Sequence, residues 1–139
     1  MKRDMTSGNK SLLIVDDETG IRSLFREVFE RLGWHVQEAE GAGDALEILN
    51  QDGDFVIFLD LKLFGTNGIE LCRLIRKKRP LSIIYAITGW TSLFEVEECR
   101  EAGFDDFFTK PLDFRVLQKA VLGAHEKLTR WRRPYGGGA

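Results

Sequence analysis

Three carboxylates, one hydroxyl and one ammonium stand out in this 139-residue chain because each closes or follows a short apolar run. The run at 12–15 is followed by Asp16 and Asp17. The run at 55–59 is followed by Asp60, the run at 83–87 by Thr88, and the run at 104–108 by Lys110. Gathered at one place, the carboxylates repel: two charges about 4 Å apart cost on the order of 4 kcal/mol at an effective dielectric of about 20. Such a cluster takes up protons or binds a hard cation. Mg2+ (or Mn2+) is the natural occupant, held by one or two carboxylates and completed by water and phosphate oxygens. A carboxylate beside that ion is a nucleophile toward phosphorus, giving an aspartyl phosphate. A lysine and a threonine then bind the remaining phosphoryl oxygens.

The surrounding pattern explains why these residues would meet. The runs at 12–15, 55–59 and 83–87 are continuous rather than alternating, as in strands covered on both faces. Weaker runs occupy 34–39 and 104–108. Between them lie segments of helical period. Ile21, Leu24, Phe25, Val28, Phe29 and Leu32 form one apolar stripe, and Gly33 is placed to end that helix in a left-handed cap. Residues 43–51 read as a short helix. Residues 68–79 read as a helix with Leu71, Cys72 and Ile75 inward and Arg73, Arg76, Lys77, Lys78 and Arg79 outward as a solvated basic end, stopped by Pro80. Residues 91–101 are a weak helix with four glutamates. Residues 113–131 are the last helix, with Leu117, Val121, Ala124 and Leu128 on one face. Five strand–helix units of about 20–28 residues predict an α/β sandwich with a parallel sheet. In an open parallel sheet ligands bind beyond the carboxyl ends of the strands, which is where the five polar residues fall.

Composition narrows the function classes. Hydrophobic residues make up 43% and charged residues 30%, which suits one globular domain. The net charge is −2, but the body from 11 to 125 carries −7 while both ends are basic. An acidic body argues against direct nucleic-acid contact. Cys72 and Cys99 have neither a CxxC partner nor a nearby histidine, so no zinc site is expected. Free thiols and no signal peptide point to a reducing cytoplasm. No apolar stretch is long enough for a membrane span.

Four motifs in order carry a resemblance: Leu-Leu-Ile-Val-Asp-Asp-Glu at 12–18, Phe-Leu-Asp-Leu-Lys-Leu-Phe-Gly-Thr-Asn-Gly at 58–68, Ile-Thr-Gly at 87–89 and Asp-Asp-Phe-Phe-Thr-Lys-Pro at 105–111. Together they resemble the receiver domain of bacterial two-component response regulators over residues 11–129, with an N-terminal tail at 1–10 and a C-terminal tail or linker at 130–139. The resemblance implies a flavodoxin-like (βα)5 fold with a five-stranded parallel sheet in the order 2-1-3-4-5. It implies Asp60 as phosphoacceptor. Asp17 would bind the metal directly, Asp16 through water or by its charge, and the backbone carbonyl of Lys62 would add a ligand. Thr88 would move onto the phosphoryl group, Lys110 would pair with it, Phe107 would be the aromatic switch, and Pro111 would follow a cis peptide bond. The implied partners are a sensor histidine kinase or phosphotransfer protein upstream, and a downstream protein or a missing output domain. A homodimer through the fourth helix, fifth strand and fifth helix is also compatible.

The chain departs from the family pattern at several points. Phe64 stands where a proline is usual. Phe107 lacks the hydroxyl of the common tyrosine. Trp90 and Lys62 are bulky at positions that modulate access to the phosphoryl group, and Trp90 is expected to slow its hydrolysis. Other uses of an aspartate in an α/β sheet fit less well. A haloacid-dehalogenase phosphatase needs an aspartate where Lys62 stands, and a flavin site would be repelled by Asp16, Asp17 and Glu18. A receiver-like module that is never phosphorylated would not need the whole polar set. The chain reads as a free-standing receiver or as the front end of a longer regulator, a switch that acts catalytically only on itself.

Overall fold

The computed structural model describes residues 10–51, 53–63, 66–89 and 93–132. Phe64, Trp90 and the two tails, 1–9 and 133–139, lie outside the described residues.

The strands are β1 (Ser11–Val15), β2 (His35–Ala39), β3 (Phe55–Asp60), β4 (Lys62–Leu63), β5 (Thr66–Asn67), β6 (Ile83–Thr88) and β7 (Asp106–Thr109). The helices are α1 (Thr19–Arg31), α2 (Ala42–Ile48), α3 (Gly68–Lys78), α4 (Leu93–Ala102) and α5 (Phe114–Arg132). Five strands form one parallel sheet in the order β2-β1-β3-β6-β7. Without the small β4–β5 hairpin, which forms a separate antiparallel pair, this is the expected 2-1-3-4-5 arrangement. Sequence periodicity did not reveal the hairpin, because two-residue strands are too short to show a period.

Every residue of β1, β3 and β6 is buried, as continuous apolar strands covered on both faces require. One layer beneath the sheet holds Phe25, Phe29, Phe58, Val121 and Leu128. The other holds Leu13, Ile57, Leu71, Ile75 and Cys99. Phe25 anchors the first layer, its ring 4.9 Å from Phe58 and 5.1 Å from Phe114.

Three expectations change in three dimensions. Leu24 and Leu32 belong to the apolar stripe of α1 by spacing, yet each is nearly half exposed. The sheet is met along Arg22, Phe25 and Phe29, and the two leucines lie to one side of that line. The basic end of α3 is not simply solvated. Arg76 donates to the carbonyls of Pro80, Ser82 and Gly103 and pairs with Asp105 at 3.0 Å. Arg79 donates to the carbonyls of Leu49, Gln51 and Gly53, with its guanidinium 5.8 Å from the centre of the Phe55 ring. Both arginines tie loops at the foot of the sheet, satisfying backbone acceptors that no strand reaches. Finally, the last helix takes in residues 130–132 of the segment expected as tail, one residue past its expected end at 131. α5 continues through Arg132, whose guanidinium meets Asp54 at 3.3 Å.

Gly33 ends α1 as expected. Its φ is +89°, and the N–H of Trp34 reaches back to the carbonyl of Phe29 at 3.0 Å, the bond of a Schellman cap. No helix among the described residues is long and apolar enough to cross a membrane.

Candidate functional site

Parallel register puts the polar residues at one level. Val15 pairs with Leu59, Asp60 with Ile87, and Thr88 with Thr109. Asp16, Asp60, Thr88 and Lys110 therefore lie within two residues of matched strand ends on four neighbouring strands. Asp16 and Thr88 are almost completely buried, Asp60 is 5% exposed, and Asp17 faces solvent. A carboxylate oxygen from each of Asp16, Asp17 and Asp60 can be chosen so that all three lie within 4.8 Å of one another.

Lys110 crosses to this cluster from the end of β7. Its ammonium lies 2.8 Å from Glu18, 3.3 Å from Asp16 and 3.7 Å from Asp60. It is held from behind, where its own N–H donates to the carbonyl of Thr88 at 2.7 Å and its peptide bond to Pro111 is cis. Burial pulls the Lys110 amine down, but the hydrogen bond to Glu18 and the charges of Asp16 and Asp60 outweigh it, so the amine stays charged over an extended pH range.

Asp60 closes β3. Its Oδ1 accepts from the N–H of Lys62 at 3.1 Å, and the next residue, Leu61, donates to the carbonyl of Ile87 at 3.0 Å. Gly68, the first residue of α3, donates to the carbonyl of Leu61 at 3.0 Å. A Cβ at Gly68 would collide with the Asp60 carbonyl oxygen and would stand 2.7 Å from the Leu61 Cα. α3 can begin this close to the acidic strand end because that residue has no side chain. Asn67 caps the helix, accepting from the N–H of Ile69 at 2.7 Å.

Electrostatics agree with crowding. Burial, helped by the charges of Asp16 and Asp17, pushes the Asp60 carboxyl up to about 6, against the Lys62 amide and Lys110. Burial also raises Asp16. One lysine does not neutralise Asp16, Asp17, Glu18 and Asp60. Asp16 Oδ2 is buried with no aligned hydrogen bond, only the Lys110 ion pair. A buried carboxylate oxygen met only by the Lys110 ammonium, and facing two further carboxylates, suits a hard divalent cation. The donor set therefore fits the metal expected from the sequence, although it does not select Mg2+ over another divalent ion.

Phe107 on β7 is half-buried against the α3 side of the core and lines a cavity of about 180 Å3 with Val96, Cys99, Arg100 and Phe104. Lys62 is exposed at the start of the hairpin. Trp90 falls outside the described residues. Two contributors escaped the sequence reading. Glu18 holds Lys110, and its position after the acidic pair was the signal for it. Arg22 is a charged residue on the buried face of α1, a placement rare enough to mark it.

Residues 12–122 match the family model described as the response regulator receiver domain. The chain belongs to this family. The receiver is 32% identical over 113 residues to sporulation initiation phosphotransferase F of Bacillus subtilis (strain 168), covering 81% of this chain and 91% of that protein. It is 39% identical over 122 residues to the transcriptional regulatory protein ResD of the same organism, covering 86% of this chain but 50% of ResD. Among solved structures it is similar to a CheY-like receiver domain protein from Methanospirillum hungatei JF-1. There the TM-score is 0.82 at 30% identity, with 88% of this chain and 98% of that one covered. The receiver thus spans most of the phosphotransferase and about half of the transcriptional regulator.

Proposed function

We propose that this receiver takes a phosphoryl group onto Asp60 from a phosphohistidine in a sensor kinase or phosphotransfer protein. The observation that carries the reading is the convergence of Asp16, Asp17 and Asp60 within 4.8 Å, with Lys110 reaching in from the opposite strand. An Asp60 oxygen forms the new bond to phosphorus as the P–N bond to the donor imidazole breaks and the imidazole leaves. Asp17 and Asp60, with the Lys62 carbonyl and with Asp16 through water or by its charge, would hold a divalent ion, Mg2+ for preference. When bound, that ion offsets the negative charge of the incoming phosphate. Lys110 pairs with a phosphoryl oxygen, giving up contacts to Glu18, Asp16 and Asp60. Thr88 brings its hydroxyl to another, and Phe107 follows by packing further toward the α4–β7 cavity.

The ligand shifts a two-state equilibrium because these contacts exist in one state only. Lys62, exposed just after the acceptor, modulates the access of hydrolytic water, the role that the sequence pattern also gives to Trp90. The receiver, matched in pattern over residues 11–129 and helical through Arg132, acts in the cytoplasm as a switch whose catalysis is limited to its own phosphorylation and slow dephosphorylation. Its output is a docked protein, or a further domain as the length of ResD exemplifies. Assembly through α4, β7 and α5 is one route to that output.

Treatment with acetyl phosphate or beryllofluoride, with and without Mg2+, tests the reading. The wild type should gain mass or change conformation only with the metal, and Asp60→Asn should do neither. An equal response in Asp60→Asn sinks the assignment.

A further inference from the structure

Asp16 has four polar atoms, and three are already committed. Its N–H donates to the carbonyl of Ala39 on β2 at 3.1 Å. Its Oδ1 accepts from the N–H of Glu18 at 2.8 Å. Its carbonyl accepts from Arg22 Nη1 at 2.8 Å. Only Oδ2 is left, and it faces Lys110 and the other carboxylates. Of these three restraints, two come from backbone groups and one from a side chain.

That side chain is itself held at every edge. Arg22 is almost wholly buried. Its Nε meets Glu38 at 3.0 Å, and its Nη2 reaches Thr19 Oγ1 at 3.3 Å. Glu38, on β2, is gripped again by Arg26 at 2.7 Å, and Arg26 and Arg22 hold its carboxyl below the usual carboxylate range against the effect of burial. A planar guanidinium can serve a carboxylate, a hydroxyl and a carbonyl at once from a fixed fork. A lysine ammonium on a flexible stem cannot reproduce that geometry.

We infer that Arg22 is a positioning residue for the cation site, fixing the Asp16 backbone so that Oδ2 points at the metal, with Glu38 as its anchor on the neighbouring strand. The inference rests on the reading of the acidic cluster as a divalent-cation site. Groups that orient a metal's ligands commonly change affinity by about 10- to 100-fold when altered. Because Asp16 is braced by two further bonds, the lower end applies here.

The test is Mg2+ binding at equilibrium, by calorimetry or NMR titration, on the full chain without any phosphodonor. Thermal unfolding of each metal-free protein is measured alongside. Arg22→Lys should weaken Mg2+ binding by on the order of tenfold. Glu38→Gln, at a partly exposed position, should weaken it less but in the same direction. Arg26→Gln removes a salt bridge on the same glutamate without touching Asp16 and should leave the affinity unchanged. If Arg22→Lys and Glu38→Gln lower only the unfolding temperature and bind Mg2+ as the wild type does, Arg22 is structural and the inference falls. The same holds if Arg26→Gln weakens binding as much as Arg22→Lys. If the wild type itself binds no Mg2+ at millimolar concentration, the cation-site reading fails first and takes this inference with it.

Discussion

The β1–α1 side of the molecule and the α4–β7 side meet at the same cluster of carboxylates, yet they are built to different standards. On the first side, β1 is buried along its whole length, Phe25 and Phe29 fill the space beneath it, and three of the four polar atoms of Asp16 are tied down. On the second, β7 has exposed residues at both ends and half-buried ones between. The described side chains of α4 bury only Cys99 and Ala102, and Phe107 borders a cavity. The difference suits the two tasks proposed above. Holding a cation requires ligands fixed to within a fraction of an ångström, whereas reporting a bound group requires an element that exchanges one packing for another at low cost.

Substitutions can sharpen or break this contrast. The largest effect should come from Phe25→Ala, which empties a fully buried site among Phe29, Phe58 and Phe114. A loss of about 3–5 kcal/mol is expected in denaturant unfolding. A loss under 1 kcal/mol would mean that the firm side is not firm.

Asp60→Asn should act in the opposite direction. The folded carboxyl, pushed up to about 6 mainly by burial, holds its proton more tightly than it does in the unfolded chain. Below about pH 4 the group is protonated in both states and costs nothing. The cost develops between about pH 4 and 6 and is complete above that. Two pH units at about 1.4 kcal/mol each make it roughly 3 kcal/mol. The metal-free variant should therefore be more stable than the wild type at pH 7 by up to about 3 kcal/mol, with the gain vanishing near pH 4. A gain that is equal at both pH values would refute this electrostatic origin.

Phe107→Ala, on the softer side, should cost only about 1–2 kcal/mol, because the residue is only partly buried and lines a cavity. Amide exchange in α4 should also report smaller opening energies than in α1. If Phe107→Ala costs as much as Phe25→Ala, the two sides do not differ as described. The smallest effect belongs to Glu27→Gln. Its pair with Arg31 is exposed and 3.4 Å long, and the change should stay within about 0.5 kcal/mol in thermal melts.

Much of this was legible in the residue pattern, for a definable reason. Continuous apolar runs mark buried parallel strands, and the residues after them mark the ligand edge, so Asp16, Asp17, Asp60, Thr88 and Lys110 could be named before any coordinates. What pattern could not supply was partnership at a distance. Arg76 and Arg79 look like ordinary helix-surface cations in sequence, and even for Arg22, whose place on the apolar stripe is unusual, only the fold shows which backbone carbonyl it meets. Leu24 and Leu32 fit the helical period and still face solvent, because spacing defines a stripe about 100° wide while the sheet fills only part of it.

Gly68 bears on how this protein can change over generations. Any side chain there would strike the backbone of Asp60 and Leu61, so no gradual series of sizes is open to the position, and even alanine is a large step. Positions 62 and 107 lie in exposed or partly filled space and admit a graded series of side chains. New timing or new partners can therefore arise around a β3 strand that stays the same, with glycine as the fixed point around which that variation is sampled.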